Sequence, residues 1–351
     1  MDFNILESLL INELSDLKVN KYRDSKAGTI GMAASYVKSI QGCTVARISP
    51  NKIRLYYNKK PFGSIRGQRP STTTGEGLKI SNDKLEAEKY LKLKNINTTN
   101  SQSFQIEDYE IAKNYVDNQD GLLVIKPFNQ SAGSGVSINV DKDNFDFAWS
   151  LAKKSYEGSN KTQKIIIQNM VPGIEARFLV IEGKFNSVIL RVPTNIIGDG
   201  IHTVSELIER KNKMRISNPH LKRLPLKVND TVKHNLEKEN IRFNQVLDKN
   251  RVLFLHHSSN ISLGGDSYEI SHLVGDKLKQ QAEEAIQAIP GVNTGGVDIM
   301  FTHFEDENST VLEINPGANL RMHHYPWKGT PKRSIFDLVD DLLGDFSKKN
   351  L

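Results

Sequence analysis

The chain has 351 residues, carries 47 Lys and Arg against 41 Asp and Glu for a net charge of +6, and is 38% hydrophobic. That length allows two or three lobes with a sizeable core, no apolar run approaches the roughly 20 residues of a bilayer span, and the single cysteine, Cys43, excludes an internal disulfide or a multi-cysteine zinc site. The start M-D-F-N-I-L-E-S lacks the basic-then-apolar order of a signal peptide, and no zinc-finger, RNA-recognition or helix-turn-helix pattern accompanies the basic excess, so the expectation is a cytoplasmic protein that meets anionic small molecules rather than nucleic acid or membrane.

In chain order, Ile5, Leu6, Leu9, Leu10, Leu14 and Leu17 mark one face of a first helix, and residues 28–40 predict a second. The runs C-T-V-A-R-I and K-I-R-L-Y-Y around S-P-N predict a β-hairpin and complete a small N-terminal lobe. Residues 66–77, rich in glycine and threonine, read as a linker or a loop ordered on binding. A new unit starts at Ser81, where S-N-D caps a helix with Lys84 in its first turn. A short extended piece, a helix over 108–116 and the strand L-L-V-I-K-P follow; Lys126 ends that strand and wants a partner.

The small residues from Ser131 to Gly135 come next. Glycines let backbone N–H groups turn toward phosphate oxygens, and Lys126 adds a point charge for them; a plain hairpin with a glycine turn has the same appearance. The loop has no Walker A or dinucleotide pattern. Beyond a helix over 145–156, Gln168 ends one strand and Glu175 follows seven residues later, a spacing that suits a hinge reading the adenine edge and the ribose. Arg177 and Arg191 stand inside apolar strands, where a cation is costly unless it meets an anion.

G-D-G leads to a helix capped near Thr203, and K-N-K-M-R within the charged stretch 211–250 reads as a solvated mobile loop. Strand, glycine loop, strand and a covering helix then lead to G-G-V-D-I-M and L-E-I-N-P-G. Alternation puts Glu313 and Asn315 on one face, and a hairpin brings Asp298 across from them. Three oxygen donors at one spot suit a hard divalent cation, and one amide among two carboxylates leaves less charge to repel a triphosphate, which points to Mg-ATP. His256–His257 and His323–His324 do not chelate as pairs, because neighbours on a strand face opposite ways.

These motifs, in this order over residues 80–345, resemble the ATP-grasp ligases, most closely the ATP-grasp portion of cyanophycin synthetase and of the bifunctional fusion that makes glutathione. The resemblance implies an α+β fold: an ATP-grasp of two lobes, 79–170 and 171–351, enclosing ATP with Mg²⁺ or Mn²⁺, after a small α/β lobe over 1–78 that frames the acceptor or a dimer face. It implies transfer of a phosphoryl group to a carboxylate, then attack by an amine on the acylphosphate to give an amide. By it, Lys84 and Lys126 hold phosphates, Ser131, Gly133, Ser134 and Gly135 cover them, Gln168 and Glu175 contact adenine and ribose, and Asp298, Glu313 and Asn315 ligate the metal. Arg191 and Arg321 become candidates for gripping the reacting carboxylate and stabilising its negative charge. Arg177 reads as a substrate residue or a structural ion-pair partner, and Asn195, His323 and Tyr325 as substrate candidates. Gln168 replaces a usual acidic residue, and Gly296 stands where D-alanine ligases place an arginine. Neither a glutamate–cysteine ligase domain nor a second ligase domain is found, so the expected substrates are a ready-made small carboxylate and an amine. A tailoring ligase for a larger peptide and a non-catalytic nucleotide-binding module are the alternatives.

Overall fold

A computed structural model describes residues 1–23, 28–130, 134–158 and 163–350. It is mixed, 35% helix and 26% strand. Helix α1, Phe3–Ser8, is capped by the Asp2 carboxylate and widens into a π turn over Leu9–Glu13, burying Leu6, Leu9 and Leu10. After α2, Thr29–Ser39, four antiparallel strands run in sequence order, β1 Cys43–Ser49, β2 Lys52–Tyr57, β3 Lys60–Arg66 and β4 Arg69–Pro70. The expected hairpin is thus half of a larger sheet, and the expected linker over 66–77 is not structureless. Arg69 pairs with Arg66, and Thr74 caps a helix, α3 Gly75–Asn82, through a hydroxyl that accepts from Gly77 N. Ser81 therefore closes α3, and the carboxylate that caps α4, Lys84–Leu93, belongs to Asp83.

The next unit is an antiparallel sheet in the order β5 Gln102–Gln105, β8 Lys164–Asn169, β6 Leu123–Pro127, β7 Ser137–Val140, with α5 Tyr109–Asp117 and α6 Phe145–Lys154 over it. Phe145, Ala148, Trp149 and Ala152 recur at helical spacing and bury one face of α6 against Leu123, Ile125 and Ile165.

The largest sheet is antiparallel, and it includes β9 Ile174–Ile181 and β10 Lys184–Val192. Between β10 and its next strand the chain makes a side unit of β11 Asn195–Ile197, α7 Val204–Arg215, α8 Asp230–Lys238 and β12 Val252–Phe254, with its own core. The order then closes as β13 Asp266–Glu269, β10, β9, β14 Gly295–Phe301, β15 Thr310–Asn315. One face of the sheet packs Phe178, Val180, Val297 and Ile299 against α9, Asp276–Ala288. Across its other face run α10, Leu320–His324, and α11, Ser334–Asn350; the latter also packs on α2 and β3, which ties the C-terminal helix to the N-terminal sheet. Alternation along β9 puts Glu175 and Arg177 on that second face, the one left open at its end.

Two departures from the sequence reading concern charge. Lys211 and Arg215 are not in a solvated loop: they lie in α7, both buried, and grip the fully buried Asp266. Capping explains why α7 starts where it does, since Thr203 and Glu206 exchange side-chain-to-backbone bonds in a capping box. No helix among the described residues is long and apolar enough to cross a membrane.

Candidate active site

An open cleft of about 670 Å³ lies between the four-stranded sheet with Lys126 and the open end of the five-stranded sheet. Its walls hold Lys126, Ser134 and Gln168 from one side and, from the other, Glu175, Arg191, Asp298, Glu313 and Asn315 together with Lys84, whose helix α4 packs on β15 and α9. Thr98 bridges to Val311 of β15, and Thr99 O accepts from Asn169 N, so the chain crossing between the two sheets is tied to both.

Register sets the acidic end. Asp298 pairs with Arg177 on one side and Glu313 on the other, while Gly296 pairs with Asn315. Ile299 then pairs with Val311, so Leu312 is an extra residue, a bulge that turns Leu312 and Glu313 together into the cleft. Arg177 binds Asp298 with Nε and Nη2, both at 2.6 Å, and Arg191 Nη2 reaches the same carboxylate at 3.0 Å. Burial alone would raise the Asp298 carboxyl, but these two guanidiniums outweigh it and hold it well below the usual carboxylate range. Arg191 also pairs with Glu175, which accepts from Ser259 Oγ at 3.1 Å. Glu313 meets Lys84 at 3.5 Å, and Asn315 Nδ2 donates to Glu313 at 3.0 Å and to Asp298 at 3.4 Å. Two convergent carboxylates beside the cleft, with the Asn315 amide between them able to turn its Oδ1 inward in place of Nδ2, would suit Mg²⁺ or Mn²⁺.

Gly296 makes this packing feasible. A Cβ there would lie 2.9 Å from Arg177 Cδ and 3.0 Å from Ala318 Cβ, so the Arg177 stem crosses over a residue with no side chain. An arginine at that position has no room.

The phosphate side is basic. Lys126 is half-buried, and burial together with neighbouring Lys84 lowers its ammonium to about 7, with Glu313 and Glu88 opposing. Ser134 lines the cleft and Gly135, at φ +69°, backs against Ala152 of α6 and Ser155 just past its end, where a Cβ would clash. Ser131 and Gly133 lie outside the described residues. Gln168, a buried residue of the cleft wall, has an Oε1 with no hydrogen-bond partner among the described residues. Glu175, expected near the ribose, lines the cleft and pairs there with Arg191.

His323 is fully buried with Nδ1 2.8 Å from Ser187 Oγ, and Arg321 donates Nη2–H to Pro219 O at 2.6 Å; neither is among the described residues that line the cleft. Asn195 and Tyr325 are not brought to the cleft. Asn195 is sealed around Lys211 and Asp266, and Tyr325 packs on Tyr22 with its hydroxyl 3.5 Å from Met32 Sδ. Glu88 was not anticipated: it follows Lys84 by one helical turn, is buried, lines a smaller pocket that shares Lys84, Lys126 and Gln168 with the cleft, and accepts from Ser101 N. Burial opposes its ionisation, but Lys92 and Ser101 hold its carboxyl below the usual range. Its i+4 spacing from Lys84 was the available signal.

No family model matches the chain. It is 33% identical over 234 residues to the glutathione biosynthesis bifunctional protein of Listeria monocytogenes, an alignment that takes in 65% of this chain and 29% of that protein. To cyanophycin synthetase of Crocosphaera subtropica it is 29% identical over 248 residues, 68% of this chain and 28% of that one. Its fold matches the crystal structure of a bifunctional glutathione synthetase from Pasteurella multocida with a TM-score of 0.65 at 22% identity, covering 87% of this chain and 42% of that one. The chain is related to the ATP-grasp superfamily. Its α+β architecture is that of the ATP-grasp fold, and it spans less than a third of the length of the curated relatives it matches.

Proposed function

We propose that the chain is an ATP-dependent, ADP-forming carboxylate–amine ligase that joins an amino acid or short peptide to an amine through an acylphosphate. The observation that carries this reading is the convergence of Lys84 and Lys126 with Asp298, Glu313 and Asn315 on one cleft. Phosphoryl transfer asks little covalent chemistry of a protein and much positioning and charge neutralisation. Lys84 and Lys126 bind phosphate oxygens, and the Gln168 Oε1 acceptor suits the amino group of adenine. Asp298, Glu313 and Asn315 would hold Mg²⁺ or Mn²⁺, which neutralises the triphosphate when bound. Arg191, a cleft-wall residue tethered to Asp298, would grip the carboxylate as it gains its phosphoryl group, and Arg177, on the same Asp298, would hold the acidic cluster in place.

The test is direct. Purified protein with Mg-ATP and pools of amino acids and dipeptides should release phosphate, and mass spectrometry of the products should name both partners. ATP binding with no phosphate release from any pool would replace the ligase with a nucleotide-binding module.

A further inference from the structure

Positive charge is not spread evenly along the chain. Between Gly28 and Gly75 stand eight lysines and arginines and not one aspartate or glutamate, while the whole chain nets only +6, so the molecule outside this stretch is on balance negative. The stretch is α2 with the four strands of the N-terminal sheet. Alternation sorts its side chains: Ile53, Leu55 and Ile65 are buried under α2 and α11, which leaves Lys52, Arg54 and Arg66 on the opposite face, with Arg54 and Arg66 exposed.

Register lines the cations up. Lys52 lies directly across from Arg66, and Arg66 from Arg69 on β4. Like charges opposite one another in a sheet destabilise it, and none of these four cations forms an ion pair among the described residues. An anion laid along the row would remove that repulsion. The row also ends beside the cleft. A Cβ on Gly317 would meet Arg69 Cγ at 3.6 Å, so the Arg69 stem lies against the turn that follows Asn315, a residue of the cleft wall.

Neighbouring strands are about 4.8 Å apart, so Lys52, Arg66 and Arg69 span about 10 Å, the length of about three extended residues. Arginine forks match carboxylates through paired hydrogen bonds. Across from Arg54 on the adjacent strands stand Ala46 and Ser64, which leave room for acidic side chains and offer no ring on which a nucleic-acid base could stack. Resting on the ligase reading above, we propose that the outer face of the N-terminal sheet docks an acidic stretch of a peptide substrate, whose reacting group then reaches the cleft past Arg69.

The probes are fluorescein-labelled hexaglutamate, hexaglutamine and a single-stranded RNA hexamer, read by anisotropy with the full chain and no nucleotide. Hexaglutamate should bind, and more weakly as salt is raised. In the double variant Arg54→Gln with Arg66→Gln its affinity should fall about tenfold, while the urea midpoint should rise because the repulsion is relieved. The same charge removed elsewhere, in Lys38→Gln with Lys153→Gln, should leave the affinity unchanged. With Mg-ATP, peptides carrying an acidic run should release phosphate at a lower KM than the same peptides with Gln and Asn in that run, and the Arg54→Gln, Arg66→Gln variant should lose the difference. No phosphate from any peptide, acidic or neutral, overturns the ligase reading and the substrate role with it. Release at one KM for acidic and neutral peptides, hexaglutamate bound no better than hexaglutamine, or affinity lost equally in the two double variants overturns this proposal alone. So does an RNA hexamer that binds tighter than hexaglutamate and loses its hold in Arg54→Gln with Arg66→Gln, which would make the face a nucleic-acid surface.

Discussion

Two buried aspartates, each gripped by two cations, serve opposite ends. Asp266 is 0% exposed, held by Lys211 and by Arg215 Nη1 at 2.7 Å, with Asn195 Nδ2 at 3.2 Å. The cations around it are themselves completed by main-chain oxygens: Lys211 donates to Asn195 O, and Arg215 to Leu224 O and Gly265 O. Asp298, 2% exposed, is held by Arg177 and Arg191, yet its neighbours border a cleft and include atoms with no hydrogen-bond partner among the described residues, such as Arg191 Nε. A buried ion pair is thus no sign of a site by itself. Leftover hydrogen-bonding capacity beside a cleft is the better sign, because a purely structural cluster has every reason to close its valences.

The comparison breaks most visibly at the sealed cluster. Asp266→Asn leaves Lys211 and Arg215 buried without an anion and should cost about 3–5 kcal/mol of stability, read as a shift in urea midpoint, with the chain that still folds retaining ATP binding. Glu313→Ala should do the reverse. Its side chain is 32% exposed, so the urea midpoint should hardly move, while phosphate release should drop by about 10²–10³-fold, the size typical of losing one electrostatic stabiliser of transferring charge. A harmless Asp266→Asn, or full turnover in Glu313→Ala, would erase the distinction between the two clusters.

The sequence announced the acidic end of the cleft because strand alternation is a short-range signal: V-D-I-M and L-E-I-N put Asp298, Glu313 and Asn315 on one face before any tertiary contact is known. Lys126 was legible for the same reason, as a lysine closing an apolar strand. The Leu312 bulge was not, since one extra residue in a hairpin leaves no trace in composition. Lys211 and Arg215 looked like solvent-facing charge because their partner, Asp266, comes some fifty residues later and only the fold brings it under α7. Asn195 and Tyr325 were placed by motif neighbourhood, and their own contacts draw them into packing instead. The helix over 75–82 was hidden by glycines and threonines that look like a linker; the Thr74 hydroxyl cap offsets them.

The phosphate side sharpens the contrast, because Lys126 has no ion-pair partner among the described residues and its charge is left for a ligand. Lys126→Ala should weaken ATP binding by about ten- to a hundredfold, the 1.5–3 kcal/mol of a hydrogen bond to a charged group, with little change in urea midpoint. Equal ATP affinity in the variant, by calorimetry, would make this lysine structural and align it with Lys211.

The smallest effect is in pH. Burial and Lys84 hold the free Lys126 ammonium at about 7, against Glu313 and Glu88 on the same wall, and phosphate oxygens arriving beside it raise that value. A group whose pKa rises on binding contributes affinity that is complete below the free value and is lost as pH climbs through it. ATP affinity should therefore fall about fivefold between pH 7 and 8, since each unit above the free value approaches a tenfold loss until the bound value is reached. The same linkage requires proton uptake on binding at pH 8, visible as a binding enthalpy that depends on the ionisation enthalpy of the buffer. Lys126→Met should flatten the affinity step and abolish that uptake. If uptake survives in the variant, the proton goes to another group and the lysine keeps its charge throughout, as a residue placed against Glu313 and Glu88 would if their attraction outweighed burial.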